Sequence, residues 1–189
     1  LKGYNTDAPG YLEALAKGAN WKPDGKTITV LGAGGAARAV AYALLSHQTE
    51  KIFLINRTLE KGEALAADFN KIFPGKITPL SWNETNLKTA FSESHLLTNA
   101  TSVGLKGGAF SDLPLAVLPK TSLVSDLVYG STETPLVKTA RAAGLATQGG
   151  FDMLLYQGVA SFRLWIKIEP DVEVMRRVTN IAASIKKRP

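Results

Sequence analysis

The chain has 189 residues, 45% of them hydrophobic and 20% charged, with a formal net charge of +6 and no cysteine. That balance suits a globular protein with a sizeable core and excludes a disordered chain. The missing cysteines exclude a disulfide scaffold, a thiolate zinc site and a cysteine nucleophile, and fit a reducing compartment.

The longest run without a charged residue, Ser94–Leu105, is too short for a membrane-spanning helix, which needs about 20 apolar residues. The positive charge sits at one end: Arg176, Arg177, Lys186, Lys187 and Arg188 follow the last acid, Glu173, and carry five of the six net charges. A nucleic-acid footprint needs a clustered basic stripe, preferably with stacking aromatics, so neither nucleic acid nor membrane is an expected partner. His47 and His95 have no companion ligands in the sequence, and no metal is expected. The chain opens Leu1-Lys2-Gly3, without an initiator Met or a signal-like segment, and reads as a piece of a longer protein.

In chain order, a helix is predicted over residues 6–17, with Thr6 as its N-cap and Tyr11, Leu12 and Leu15 as its apolar stripe. Ala19–Gly25 is a connection. Thr27–Leu31 reads as a buried strand, followed by a Gly/Ala turn and a helix over 35–47. Ile52–Ile55 is a second strand and Leu59–Phe73 a helix. Ile77–Leu80, His95–Asn99, Leu123–Val128 and Leu145–Thr147 are further strands. Glu84–Phe91 and Thr134–Ala143 are the helices between them.

Strands and helices alternate, and the strands are continuous apolar runs, the pattern of a parallel sheet covered on both faces. The predicted fold is a Rossmann-like, doubly wound α/β sheet plus two C-terminal helices. Met153–Ile166 is apolar nearly all round, where a surface helix shows one stripe. It calls for burial on more than one side, by a second copy in a homodimer or by protein beyond this chain. A last helix follows Pro170-Asp171 and runs to about Lys186.

Gly32-Ala33-Gly34-Gly35-Ala36-Ala37 lies between a strand and a helix. Its spacing is the dinucleotide fingerprint, with Ala37 at the third small position. The first glycine permits the tight turn, the second admits the pyrophosphate, and the helix N-terminus offers free N–H groups. A tight turn between core elements is the plainer alternative.

The second strand ends Asn56-Arg57-Thr58, where an NAD site usually places a carboxylate for the ribose 2′-hydroxyl. Arg57 suits a 2′-phosphate, Thr58 adds a hydroxyl and Lys61 a second charge, so the expected cofactor is NADP. Taken singly, Arg57 is also a solvated strand-end charge, and Lys61 sits on what reads as an ordinary helix surface.

Three segments exceed what packing needs: Gly3-Tyr4-Asn5-Thr6-Asp7, Asn99-Ala100-Thr101-Ser102-Val103-Gly104, and Asp126-Leu127-Val128-Tyr129. The last two follow strands, where an open parallel sheet binds its ligands. Alone, Asp7 is a first-turn helix acid, Gln157 a polar residue on an apolar helix, and Tyr129 a buried ring.

With Thr134-Pro135-Leu136, Gly150-x-x-Met153-Leu154-x-x-Gln157 and Val174-Met175-Arg176 added, these motifs come in the order of the shikimate dehydrogenase family, which the chain strongly resembles over nearly its whole length. The resemblance implies a cytoplasmic oxidoreductase that reduces 3-dehydroshikimate to shikimate with NADPH, on the route to chorismate and aromatic amino acids. It implies that Asp7 pairs with a catalytic Lys from an N-terminal substrate domain preceding this chain. It places Asp7, Tyr129 and Gln157 at the substrate, and Leu127 and Gly150 beside the nicotinamide. Thr101, Ser102 and Val103 join Gly32, Ala33, Gly34, Gly35, Ala36, Asn56, Arg57, Thr58 and Lys61 at the cofactor.

Leu127 replaces a frequent Met, and Asp152 stands where Gly is common. The domain reading is a cofactor domain over 1–150, with residues 1–18 linking, and helices over 151–189 that pack on the absent substrate domain. The chain alone is expected to bind NADP and be nearly inactive. The alternatives are a quinate/shikimate enzyme, a glutamyl-tRNA reductase-like enzyme, or a non-catalytic nucleotide-binding module.

Overall fold

The computed structural model describes residues 1–130 and 133–185, with side chains through Asn180. Lys186, Lys187 and Arg188, and with them the predicted end of the last helix, lie outside the described residues.

Six parallel strands form one sheet: β1 (Thr27–Leu31), β2 (Lys51–Asn56), β3 (Ile77–Ser81), β4 (Leu96–Asn99), β5 (Leu123–Asp126) and β6 (Ala146–Gln148), in the order β3-β2-β1-β4-β5-β6. Because β4 pairs with β1 on the side away from β2, the chain reverses its direction of travel across the sheet there. The C-terminal ends of β1 and β4 therefore flank the crevice where such sheets bind ligands. Register sets those ends level: Leu31 is opposite Asn99, and Asn99 opposite Asp126.

Both faces of the sheet are covered, as the apolar runs require. On one face α1 (Asp7–Glu13), α2 (Gly35–Leu45) and α3 (Leu59–Asn70) bury Tyr11, Val40, Leu44, Leu65 and Phe69 against Ile28, Val30, Ile52 and Leu54. On the other, α4 (Glu84–Glu93), a short 3₁₀ turn at Leu115–Val117 and α5 (Pro135–Ala142) bury Leu87, Phe91, Leu115, Leu136 and Ala140 against Leu31, Phe53, Ile55, Leu97 and Val124. Each fully buried aliphatic side chain contributes about 1.5–3 kcal/mol. Thr29 is the polar residue inside β1; its hydroxyl pairs with that of Ser94 at 2.7 Å, which keeps a buried polar group satisfied.

Two features at the start of the chain differ from the sequence reading. Thr6 stands at the N-cap position without a side-chain cap bond; Asn5 Oδ1 accepts instead from the amides of Asp7 (3.0 Å) and Ala8 (3.3 Å). Thr6 turns its hydroxyl outward to accept from Ser161 Oγ at 3.1 Å, an attachment that periodicity cannot reveal. The predicted single helix also changes at Ala14 into a π-helical turn, Ala14–Gly18. The Gln148 side chain donates to the Ala14 carbonyl at 2.6 Å, stabilising the widened turn from β6.

The apolar helix is α6 (Gly150–Ile166), and much of its covering comes from this chain. Tyr156 and Val159 pack with Ala14 and, on the other side, with Val172 and Met175 of α7 (Val172–Ile185). Arg163 of α6 bridges Glu13 of α1 (2.9 Å) and Glu169, while Arg176 of α7 reaches Asp152 at 2.7 Å and the Tyr156 hydroxyl at 3.3 Å. Only the far end of α6 stays open, with Trp165 79% and Ile166 52% exposed.

Candidate active site

The Gly-rich turn lies between β1 and α2. Gly32 has φ +107°, a left-handed conformation that disfavours a side chain, and a Cβ there would come within 3.0 Å of the Ala100 carbonyl oxygen. Its amide donates to Ile55 O at 2.8 Å, tying the turn to β2. Gly34 is the N-cap of α2 and offers no side-chain cap, so the first-turn amides stay available. Around Gly34 and Gly35 a Cβ would meet nothing within 4 Å, and both are exposed. Ala33 and Ala36 are half-buried beside them. A concave backbone turn, bare of side chains, at an uncapped helix N-terminus fits the diphosphate of a dinucleotide.

Two clefts flank this turn. The first, of about 280 Å³, is lined by Asn56, Arg57, Trp82, Thr101, Ser102, Val103 and Phe110. Arg57 is exposed, and Asn56 holds the strand end in shape by donating from Nδ2 to Thr58 O at 2.7 Å. Thr58 is the exposed N-cap of α3, and Lys61 lies one turn on, exposed and not in this lining. The lining holds a guanidinium, an amide and two hydroxyls but no carboxylate, a donor set that suits an anionic, hydroxylated ligand.

The second cleft, of about 190 Å³, brings together Asp7, Ala36, Leu127, Tyr129, Gly150, Met153, Leu154 and Gln157. These residues come from α1, α2, the end of β5 and α6. A Cβ at Gly150 would collide with the Leu127 carbonyl group, so glycine permits α6 to start against that strand end. Asp7 and Gln157 are half-buried, and Tyr129 is exposed rather than a buried ring.

A buried polar lock joins the two clefts. Asp126, 1% exposed at the end of β5, accepts from Asn99 Nδ2 (2.8 Å), the Val128 amide (3.0 Å) and Thr134 Oγ1 (2.6 Å). Asn99 Oδ1 in turn accepts from the Thr101 amide (3.0 Å) and hydroxyl (2.7 Å), and Thr101 Oγ1 from the Val103 amide (3.1 Å). One carboxylate thus anchors the 99–103 loop of the first cleft through Asn99, whose Nδ2 also donates to the Val103 carbonyl at 3.1 Å, and holds Val128 and Thr134 beside the second directly. Burial pushes the Asp126 carboxyl above its ordinary range, and its three donors pull it back without cancelling the rise.

The structure therefore gathers Asn56, Arg57, Thr101, Ser102 and Val103 into one cleft and Asp7, Ala36, Leu127, Tyr129, Gly150 and Gln157 into the other, with Gly32, Ala33, Gly34, Gly35, Thr58 and Lys61 in neither lining. It adds Trp82, Phe110, Met153 and Leu154 as lining residues, and Asn99, Asp126 and Thr134 as their support. Trp82 follows β3 directly, at a strand end where this sheet places ligand contacts; that position is the one signal in the sequence that marks it.

Residues 14–103 match the family described as shikimate/quinate 5-dehydrogenase, and residues 150–178 match the shikimate 5′-dehydrogenase C-terminal domain. The shikimate dehydrogenase (NADP(+)) of Azorhizobium caulinodans is 42% identical over 187 residues, covering 97% of this chain and 64% of that protein. The solved structure of shikimate 5-dehydrogenase from Listeria monocytogenes in complex with shikimate and NAD superposes with a TM-score of 0.86 at 32% identity, covering 93% of this chain and 63% of that one. The Thermus thermophilus shikimate 5-dehydrogenase, in complex with NADP(H) and shikimate, superposes with a TM-score of 0.78 at 40% identity over 95% of this chain and 63% of that one. The chain thus spans less than two thirds of the length of these relatives.

Proposed function

We propose, for this member of the shikimate dehydrogenase family, that residues 1–150 bind NADP and that the chain is the cofactor-binding portion of an enzyme interconverting 3-dehydroshikimate and shikimate. The observation that carries the reading is the pair of clefts on either side of the Gly32–Ala36 turn, one holding Arg57 without a carboxylate and the other holding Asp7, Tyr129 and Gln157.

In this reading the amides of the turn hold the diphosphate, and Arg57 with Asn56 and Thr58 holds the 2′-phosphate. Lys61 adds a longer-range positive charge. Thr101, Ser102 and Val103 line the ribose side. Leu127 and Gly150 shape an apolar wall that keeps water from the nicotinamide end. The bound cofactor supplies the hydride.

The substrate end belongs to Asp7, Tyr129 and Gln157. The phenol and carboxamide suit a ligand carrying several hydroxyls, because each donates and accepts. Ketone reduction also needs a proton donor at the developing alkoxide. Among the described residues, the lining of this cleft contains no ammonium or imidazole. A carboxylate such as Asp7 orients and tunes a neighbouring ammonium group better than it acts as the acid itself near neutral pH. The resemblance to the family supplies the donor: a Lys of an N-terminal substrate domain, which this reading places outside these 189 residues. In the same reading α6 and α7 pack on that domain.

The test is shikimate oxidation with NADP, by the 189 residues alone and by the chain joined to the upstream segment of its parent. Turnover confined to the joined protein is expected. Equal turnover by the 189 residues alone would overturn the assignment of the proton donor, and none in either form would overturn the enzymatic reading.

A further inference from the structure

The cleft that holds Arg57 also contains an aromatic pair. Trp82 and Phe110 stack with ring centroids 5.5 Å apart and planes 15° from parallel. They come from distant places. Trp82 follows β3 at the sheet edge, and Phe110 lies in the connection after β4, with β2 and β1 between those two strands. The connection therefore reaches across two strand ends to set one ring on the other. Both rings are half-buried: they pack against the core on the α4–α5 face and also line the cleft.

A stacked pair at a cleft wall offers a flat, apolar surface with one purpose that the polar lining does not serve. The hydroxyls of Thr101 and Ser102 recognise oxygens, and the guanidinium of Arg57 recognises negative charge and stacks on a base beside it, but none of the three offers an apolar wall. Aromatic side chains bind bases through their π-faces. A cavity that combines both kinds of surface, with no carboxylate in its lining, matches a purine ring attached to a phosphorylated ribose.

We propose that Trp82 and Phe110 form the base-binding wall of this cleft, a function separable from that of Arg57. This rests on the cofactor reading above. The separation has a sharp consequence, because NAD and NADP carry the same adenine and differ only at the 2′-position. Loss of the wall weakens both cofactors by the same factor, and loss of Arg57 weakens NADP selectively.

The test is isothermal titration of the 189-residue chain with NADP and with NAD, for wild type, Trp82→Leu, Phe110→Leu and Arg57→Ala, with circular dichroism confirming the fold of each. About tenfold weaker binding of both cofactors is expected for the two aromatic variants, with the NADP/NAD ratio unchanged. Arg57→Ala is expected to collapse that ratio.

Unchanged NADP affinity in both Trp82→Leu and Phe110→Leu, or a loss confined to NADP, would overturn the wall while leaving the cofactor reading intact. A wild-type chain that binds neither cofactor would overturn both. Where an aromatic variant fails to fold, the Trp21→Phe/Trp165→Phe double variant replaces it. This form keeps Trp82 as its single tryptophan. Quenching of its fluorescence by adenosine 2′,5′-bisphosphate, which carries the base and the 2′-phosphate but no nicotinamide to accept energy at a distance, supports the wall, and no change at saturation overturns it.

Discussion

Helix α1 crosses α6 at Gly10, where a Cβ would lie 2.6 Å from the backbone nitrogen of Gln157 and 2.7 Å from its Cα. The two helices touch backbone to backbone, and that contact brings Asp7, one turn before Gly10, into the same cleft as Gln157. Tyr11, the next residue, is fully buried and donates to or accepts from Thr98 Oγ1 of β4 at 2.7 Å; burial pushes its hydroxyl up to about 12. Gly10→Ala is therefore expected to destabilise the chain by about 1–3 kcal/mol, since neither helix backbone can yield. Urea unfolding measures this, and a midpoint equal to wild type would show that the crossing is slack.

The glycines of the turn separate fold from binding. Gly32→Ala meets both a positive φ and the Ala100 carbonyl, so it is expected to lose stability by about 1–3 kcal/mol. Gly34→Ala has open space and φ −91°, so the fold should hold while the new methyl obstructs the diphosphate. Thermal unfolding and NADP titration of the two variants should thus give opposite patterns. Loss of stability in both, or full NADP affinity in Gly34→Ala, would contradict the account.

Asp126 links the two clefts, and its removal exposes what it holds. Asp126→Ala leaves the Val128 amide and the Thr134 hydroxyl without their buried acceptor, a cost of about 1–3 kcal/mol for each group left unpaired, while Asn99 Nδ2 loses one of its two acceptors and keeps the Val103 carbonyl. Asp126→Asn retains an acceptor oxygen and should be milder. Hydrogen exchange should rise in both the 99–103 and 127–130 segments of Asp126→Ala; a rise in one alone would show that the lock is not shared.

The attachment of α6 to α1 has a pH signature. Burial raises the Glu13 carboxyl, but hydrogen bonds from Arg163 and Lys17 outweigh it and hold the group below its ordinary value of 4.5. The native state then binds this proton less readily than the unfolded chain. The stabilisation is present above pH 4.5 and is lost as pH falls through the lowered native value. Glu13→Gln should lower stability near neutral pH and remove part of the acid dependence. Parallel stability curves for the two proteins between pH 6 and 3 would contradict this.

Much of this was legible in the sequence because local rules and tertiary demands agree there. Strand Thr27–Leu31, the Gly32–Ala37 turn and the Asn56-Arg57-Thr58 strand end each carry their own chemistry, and all fall where the parallel-sheet pattern puts them. What stayed hidden depends on pairings distant in the chain. Asn5 in place of Thr6 as the cap, the π-turn at Ala14 and the Trp82–Phe110 stack arise from partners that no periodicity names. The apolar circumference of α6 points in the sequence to a second copy or to protein beyond the chain, whereas within this chain Gly10 of α1, the turn at Ala14 and α7 already supply much of the cover.

The central claim is that this chain carries an NADP site whose preference resides in Arg57. Isothermal titration of the 189 residues with NADP and NAD, repeated on Arg57→Ala, tests it most directly. One NADP per chain is expected, bound more tightly than NAD, with the preference lost in the variant. Absence of NADP binding, or a preference that survives in Arg57→Ala, would contradict it.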